Sequence, residues 1–331
     1  MNLALSLGMA ANPRTWPIFD GRVKADGIDL LPSPVHPSEL FWRQLKFGDF
    51  DVSEMSMSSL MMAVAAARSD QERRWVGLPV FTTRKLFHTE ILVRRAAGIE
   101  KPADLKGRRV GVPEYQQTAA LWTRGALEHE FGVRASDLEW WMERVPSHSH
   151  RAAVGFDAPP GATIKQVPAE ENLGTMILAG KIDAIVHYIV NPNLVDRSKA
   201  DLWHHPDIRP LFADPLAEGV RYYRKTGLLP INHGMVVKRE IAERHPWVIL
   251  NLLKAFERAN DIAERERLEH AQYHVATGGV DPEKLSVPLV RHGITANRKV
   301  LETAAQYSQE QGLTPRRVTL EEIFASSSLD Q

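Results

Sequence analysis

The first residues, MNLALSLGMAA, alternate: Leu3, Leu5, Leu7 and Met9 fall on one side, and Asn2, Ala4, Ser6 and Gly8 on the other. A period of two is that of a half-buried β-strand, and no Lys or Arg precedes the apolar positions as in a secretory leader. GIDLLP reads as another strand and SSLMMAVAAA as a buried helix. PWVILNLLKAFERANDIAERERLEHA, residues 246–271, opens with Pro at a first helical position and continues with the amphipathic helical period. TLEEIF carries a capping box, Thr319 with Glu322 three residues on.

Two segments echo each other. KFGDFDVSEM (46–55) and LAGKIDAIVH (178–187) both run apolar, Gly, variable, apolar, Asp, then into a strand. Each fits a helix that closes on Gly48 or Gly180 and passes directly into β-structure. The pattern predicts an α/β fold of two lobes with mostly parallel sheets, and a ligand cleft beyond the carboxyl ends of the strands. HTEILVRR (88–95) and GMVVKR (234–239) are β-rich and are expected to pair as the strands joining the lobes. Lobe 1 then comprises residues 1–88 and 240–331, and lobe 2 residues 89–239.

In GRRVGVPEYQQTAALWTRGAL (107–127) a short strand, RVGV, runs through PEYQQT into a helix. A helix N-terminus of this kind favours an anion through its free N–H groups and dipole. The glycines of a phosphate loop are absent here, and neither G-x-x-x-x-G-K-[ST] nor G-x-G-x-x-G occurs in the chain. Two readings stand: a carboxylate held by backbone N–H, Thr118 and Gln116, or polar residues that merely cap the helix.

Composition narrows the function classes. Among 331 residues Lys+Arg and Asp+Glu both number 41, so there is no basic field for nucleic-acid phosphates. The chain has no cysteine, which excludes disulfides, a thiolate nucleophile and cysteine-bound metal. No segment approaches eighteen apolar residues in a row, so no membrane span is expected, and the reading is cytoplasmic. A homo-oligomer is compatible with this composition. The pairs His148/His150 and His204/His205 lack the helical spacing and adjacent carboxylate of a metal centre, and no metal site is assigned. The serines of SEMSMSSL have no G-x-S-x-G context. The eight tryptophans are expected in packing.

FGDFDVSEMSMSSL, RRVGVPEYQQTAALWTRGAL, YYRKTGLLPINHGMVVKREIAERHPWVILNLLKAFERA and YSQEQGLTPRRVTLEEIFA together resemble the 4,5-dihydroxyphthalate decarboxylase family. The resemblance runs from the first strand to residue 329 and weakens between about 141 and 200. VPEYQQTAALWTRG and TGLLPINH are its specific motifs; DLKGRRVGVP is shared with many solute-binding proteins. The resemblance implies a type II periplasmic-binding-protein-like fold and decarboxylation of a small hydroxylated aromatic carboxylate without a cofactor. It points to cleft positions Arg14, Glu54, Ser56, Ser58, Ser59, Arg84, His88, Glu114, Tyr115, Gln116, Gln117, Thr118 and His233. Two departures stand out. The family pattern has an Arg where this chain has Phe87, and a basic residue where it has His187 and Tyr188. Two fewer cations suit a less anionic ligand than a phthalate dianion. ERVPSHSHRAAVGF departs as well.

Such chemistry needs an acid near neutral pKa, donors or cations for a carboxylate, and a dry cleft. His233 and His88 are the expected acid–base pair, with Glu54 or Glu114 orienting a histidine or taking the phenolic proton. Arg84 and Arg14 are the expected carboxylate forks, with His187 beside the substrate. The alternatives are a non-catalytic solute-binding protein for a small aromatic or carboxylate ligand, and an enzyme of other chemistry on the same fold. The cysteine cluster of a thiamine-precursor synthase is absent, which weighs against one such enzyme.

Overall fold

The computed structural model describes residues 1–281 and 290–331. The first sheet is built from β1 (Leu3–Met9), β2 (Ile28–Pro34), β3 (Val52–Ser56), β4 (Trp75–Arg84) and a late strand, β11 (Ile231–Lys238), in the order β2-β1-β3-β11-β4. The second contains β5 (Leu92–Arg94), β6 (Arg109–Val112), β7 (Glu139–Met142), β8 (Thr163–Gln166), β9 (Ala184–Ile185) and β10 (Ile208–Pro210), in the order β10-β5-β9-β6-β7-β8. From β7 inward the second sheet repeats the first. β6 is parallel to β7 and β9 as β1 is to β2 and β3, and β5 lies antiparallel between β9 and β10 as β11 does between β3 and β4. The two-lobed α/β architecture is therefore present.

The echoing segments occupy equivalent places in this repeat. The helix Pro37–Phe47 ends at Gly48, whose φ of 68° only glycine adopts freely, and leads into β3. The short helix Leu173–Leu178 leads through Gly180, φ 71°, into β9. The shared aspartates explain why the pattern recurs. Asp51 accepts from the backbone N–H of Ser6 on β1 at 3.0 Å, and Asp183 from that of Arg109 on β6 at 3.1 Å. Each carboxylate thus clamps the central parallel strand of its own sheet to the strand that follows it.

Packing follows the alternation read in β1. Leu5, Leu7 and Met9 are buried beside Val248, Leu252 and Phe256 of the helix Trp247–Ala276, which covers that face. On the opposite face a Cβ at Gly8 would lie 2.6 Å from the Phe50 ring, so the helix Pro37–Phe47 and its following turn sit directly on the strand. The helix Arg298–Glu310 packs across the helix Thr118–Phe131 of the second lobe, where a Cβ at Gly125 would lie 2.1 Å from the Tyr307 ring. The capping box of Thr319 and Glu322 is formed.

The expected pairing of 88–95 with 234–239 is not formed. β5 pairs with β9 and β10 in the second sheet, and β11 pairs with β3 and β4 in the first. Both runs are rich in β-forming residues, but that propensity does not choose a partner. The strand Ile231–Lys238 accordingly belongs with the sheet of residues 1–88, rather than with 89–239. Phe87–Glu90 coils into a 3₁₀ turn, held by the Thr89 hydroxyl on the Leu86 carbonyl at 2.8 Å.

Asp183→Ala removes a buried carboxylate and leaves the part-buried Arg109 N–H without its acceptor, and should cost about 1–3 kcal/mol, measured as a shift of the urea midpoint. Asp51→Ala should cost less, because Asp51 is only half-buried. Equal midpoints for Asp183→Ala and the parent protein would remove the clamp from the account.

Candidate active site

Between the lobes lies a cleft of about 680 Å³. Its wall is drawn from the carboxyl ends of parallel strands of both sheets: Ala10 after β1, His36 after β2, Ser56 at the end of β3, Gln117 after β6, Arg144 after β7 and His187 after β9.

The first-lobe wall carries a carboxylate–imidazole pair. Glu54 is fully buried and accepts from the Ala10 backbone N–H at 2.8 Å, the Thr82 hydroxyl at 2.5 Å and His233 Nδ1 at 2.8 Å. Burial by itself pushes this carboxyl up, but the His233 hydrogen bond and charge, with Thr82 and Ala10, leave it below the ordinary glutamate value. With Nδ1 donating to Glu54, His233 presents Nε2, which meets the Asn232 side-chain amide at 2.8 Å. The Phe41 ring stands edge-on to the imidazole at 4.7 Å.

The second-lobe wall is the start of the helix Thr118–Phe131. Gln117, Thr118 and Ala119 line the cleft there, and no side chain caps the helix. Thr118 Oγ1 is engaged across the lobes, 2.8 Å from Ser56 Oγ and 2.9 Å from the Ser58 N–H that donates to it. The Gln116 side chain turns inward to Glu114. Of the two readings of PEYQQT, the backbone end and Gln117 remain turned to the cleft, while Thr118 and Gln116 also serve the packing.

Behind this wall lies a buried polar network. Arg144 donates from Nη1 to Glu114 at 2.8 Å and from Nε to Asp196 at 2.7 Å. Burial opposes its charge, but Asp196 and Glu114 outweigh that and raise its pKa. His150 Nδ1 lies 3.2 Å from Ser59 Oγ and 3.4 Å from Glu114 Oε2. His187 takes a left-handed φ of 56°, unusual for a non-glycine, and meets Phe87 edge-on at 5.3 Å. Burial, then the charge of Lys85, pushes the His187 imidazole well below its ordinary pKa.

Of the residues singled out in the sequence, Ser56, Gln117, Thr118, His187 and His233 line the cleft. Glu54 stands one hydrogen bond behind, and Ser58, Ser59, Glu114 and Gln116 lie in the buried shell. The others lie elsewhere. His88 is buried against Tyr222 and Phe212, with Nε2 3.1 Å from Glu218, because the 3₁₀ turn brings Phe87 rather than His88 to the cleft. Arg84 is held by the carbonyls of Leu229 and Arg291 and by Asn297, and burial lowers its pKa to about 10. Arg14 donates to the Thr82 carbonyl, and Tyr115 packs beneath the Arg124 guanidinium in the core. The cleft residues missed include His36, Phe41, Lys85, Arg144, His150 and Asn232. Arg144 and His150 follow β7, where the carboxyl-end rule points; Asn232 sits inside the quoted PINH.

No family model matches the chain. A 4,5-dihydroxyphthalate decarboxylase from Comamonas testosteroni is 31% identical over 99% of this chain and 98% of its own. The chain belongs to the 4,5-dihydroxyphthalate decarboxylase family. A second member, from Pseudomonas putida, is 33% identical over 68% of this chain and 82% of its own length. Among solved structures, the alkanesulfonate-binding protein SsuA from Xanthomonas axonopodis pv. citri superposes with a TM-score of 0.55 at 17% identity, covering 98% of both chains. The desulfurization enzyme DszB with biphenyl-2-sulfinic acid gives 0.55 at 16%, covering 100% of this chain and 98% of the other. These likenesses establish the periplasmic-binding-protein-like fold of the family member described here.

A carboxyl whose pKa is depressed in the folded state adds stability above its unfolded pKa and loses it as pH falls through the folded value. Glu54 is such a group, so stability should fall as pH drops below about 4.5, near the unfolded glutamate value. Glu54→Gln should be less stable at pH 7 and show a shallower acid decline, read from urea midpoints between pH 7 and pH 3. An unchanged acid limb in that variant counts against the ionised, paired carboxylate.

Proposed function

We propose that the protein is a cofactor-independent decarboxylase of a hydroxylated aromatic carboxylic acid, with His233 as the general acid. The observation that carries this reading is the His233 imidazole, backed by buried Glu54 and standing in the cleft wall. In a ring with a hydroxyl ortho or para to the carboxylate, loss of the phenolic proton sends electron density to the carboxyl-bearing carbon. That carbon takes a proton, the bond to the carboxylate breaks, and the electron pair returns to the ring as carbon dioxide leaves. An ionised Glu54 at Nδ1 stabilises the imidazolium that supplies the proton. The substrate carboxylate faces the uncapped start of the helix at Gln117 to Ala119, where the dipole favours it.

The charges around the cleft favour a single carboxylate. Arg144 is matched by Glu114 and Asp196, Lys85 is 2.5 Å from Glu90, and His187 is kept neutral against Phe87. A phthalate dianion brings a second charge, and among the described residues of the cleft wall no unmatched Lys or Arg meets it. The fold shared with an alkanesulfonate-binding protein favours one other reading, a non-catalytic binder of a small aromatic or carboxylate ligand.

Incubation with a panel of hydroxylated benzoates and phthalates, following carbon dioxide release, separates the two. Turnover of a hydroxybenzoate faster than of a phthalate is expected, and tight binding with no release from any member supports the binder. On a confirmed substrate His233→Gln should lower kcat by about 10²–10⁴ with KM little changed. Gln117→Glu, by contrast, places a negative charge at the helix start that faces the carboxylate and should act chiefly on KM. Full turnover in His233→Gln refutes its role.

A further inference from the structure

Decarboxylation through a phenolate requires proton transfers at two separate atoms, the ring oxygen and the carboxyl-bearing carbon. In a para-hydroxy acid these lie at opposite ends of the ring, so one imidazole fixed in a wall serves only one of them. His36 has Nδ1 committed to the Ser38 N–H at 3.3 Å, and His187 packs edge-on against Phe87. His150 differs from both. Its ring lines the cleft, Nδ1 is held between Ser59 and Glu114, and buried Nε2 has no hydrogen-bond partner.

The support behind His150 parallels that behind His233. Glu114 is fully buried and accepts from Arg144 at 2.8 Å, Ser149 Oγ at 2.5 Å, the His150 backbone N–H at 2.7 Å and Gln116 Nε2 at 2.6 Å. Four donors fix that carboxylate in place. The Phe41 ring packs edge-on against both histidines, its centroid 4.7 Å from that of His233 and 6.3 Å from that of His150, and both histidines line the cleft. The imidazoles therefore border one space from opposite lobes, each with a buried glutamate behind it.

Building on the decarboxylase reading above, we propose that His150 is the base that takes the phenolic proton while His233 protonates carbon. The ring O–H breaks and an N–H forms at His150 Nε2. The His233 N–H breaks as the new C–H forms. The bond to the carboxylate then breaks, and its electron pair passes through the ring to the oxygen, which takes its proton back from His150. His233 recovers its proton from water. Burial, the largest influence, keeps His150 neutral and ready to accept; Glu114 and Asp196 pull the other way, and Arg144 assists.

The test uses 4-nitrocatechol, a phenol whose absorbance shifts on ionisation, added to the whole protein just below the free probe's pKa. The parent protein should bind it as the phenolate, and His150→Gln and His150→Asn should bind it neutral, with circular dichroism confirming that both variants fold. On a confirmed substrate both variants should lose about 10²–10⁴ in kcat with little change in KM. A probe that binds neutral or not at all in the parent protein, continued ionisation by folded variants, or full kcat in them overturns the assignment. Ionisation that depends on His150, with no carbon dioxide released from any substrate, leaves the base in place and removes the decarboxylase reading beneath it.

Discussion

The carboxylate of Glu54 is where the first half of the cleft is tied together. Its three donors come from the end of β1, from β4 and from β11, so one side chain holds the ends of three strands in register. An ionised carboxylate withdrawn from water costs several kcal/mol unless its oxygens are met by donors. The same bonds that offset that cost aim the His233 ring, since Nδ1 cannot leave Glu54 without exposing a buried charge. Stability and site geometry in this lobe thus depend on one group.

The repeat between the lobes extends the argument. Each lobe places a central parallel strand beside a second that enters through a glycine and an aspartate, and each aspartate clamps the N–H of its neighbour. Because the two sheets share a topology, their carboxyl ends can face each other across one space, and Asn232 and His233 join them from the start of the antiparallel strand β11. The lobes are also tied beneath the cleft. Ser56 and Ser58 meet Thr118, Ser59 meets His150, and Trp122 Nε1 donates to the Ile231 carbonyl at 2.9 Å.

What the sequence revealed were features carried by short-range pattern. The alternation in β1, the two glycine-terminated helices and the capping box are local, and each appears as read. Glu54, Ser56, Thr118 and His233 were found because they lie in quoted motifs at the ends of β-runs. The pairing of 88–95 with 234–239 failed because partner choice depends on the whole sheet, and composition carries no register. His88 and Arg84 failed for a related reason. A histidine or arginine near a strand end looks the same in sequence whether its backbone turns toward the cleft or toward Glu218 and Asn297. His150 carries no local signal beyond its pairing with His148, since its place comes from Glu114, thirty-six residues earlier.

Placing one glutamate–histidine pair on each lobe has a consequence for catalysis as against binding. A binder needs only that its walls close on a ligand, and an error of an ångström in their relation costs some affinity. Two proton transfers to opposite ends of one ring need both imidazoles in hydrogen-bond reach at once, and that distance is set by how the lobes sit. The serine and threonine contacts under the cleft floor fix that relation through buried hydrogen bonds, at the same residues that border the imidazoles. Ser59 shows the coupling most directly: it belongs to the first lobe, yet it hydrogen-bonds the Nδ1 of a second-lobe histidine. The contact that joins the lobes is therefore also one that orients a cleft imidazole, so lobe position and the setting of that ring are fixed by the same bond.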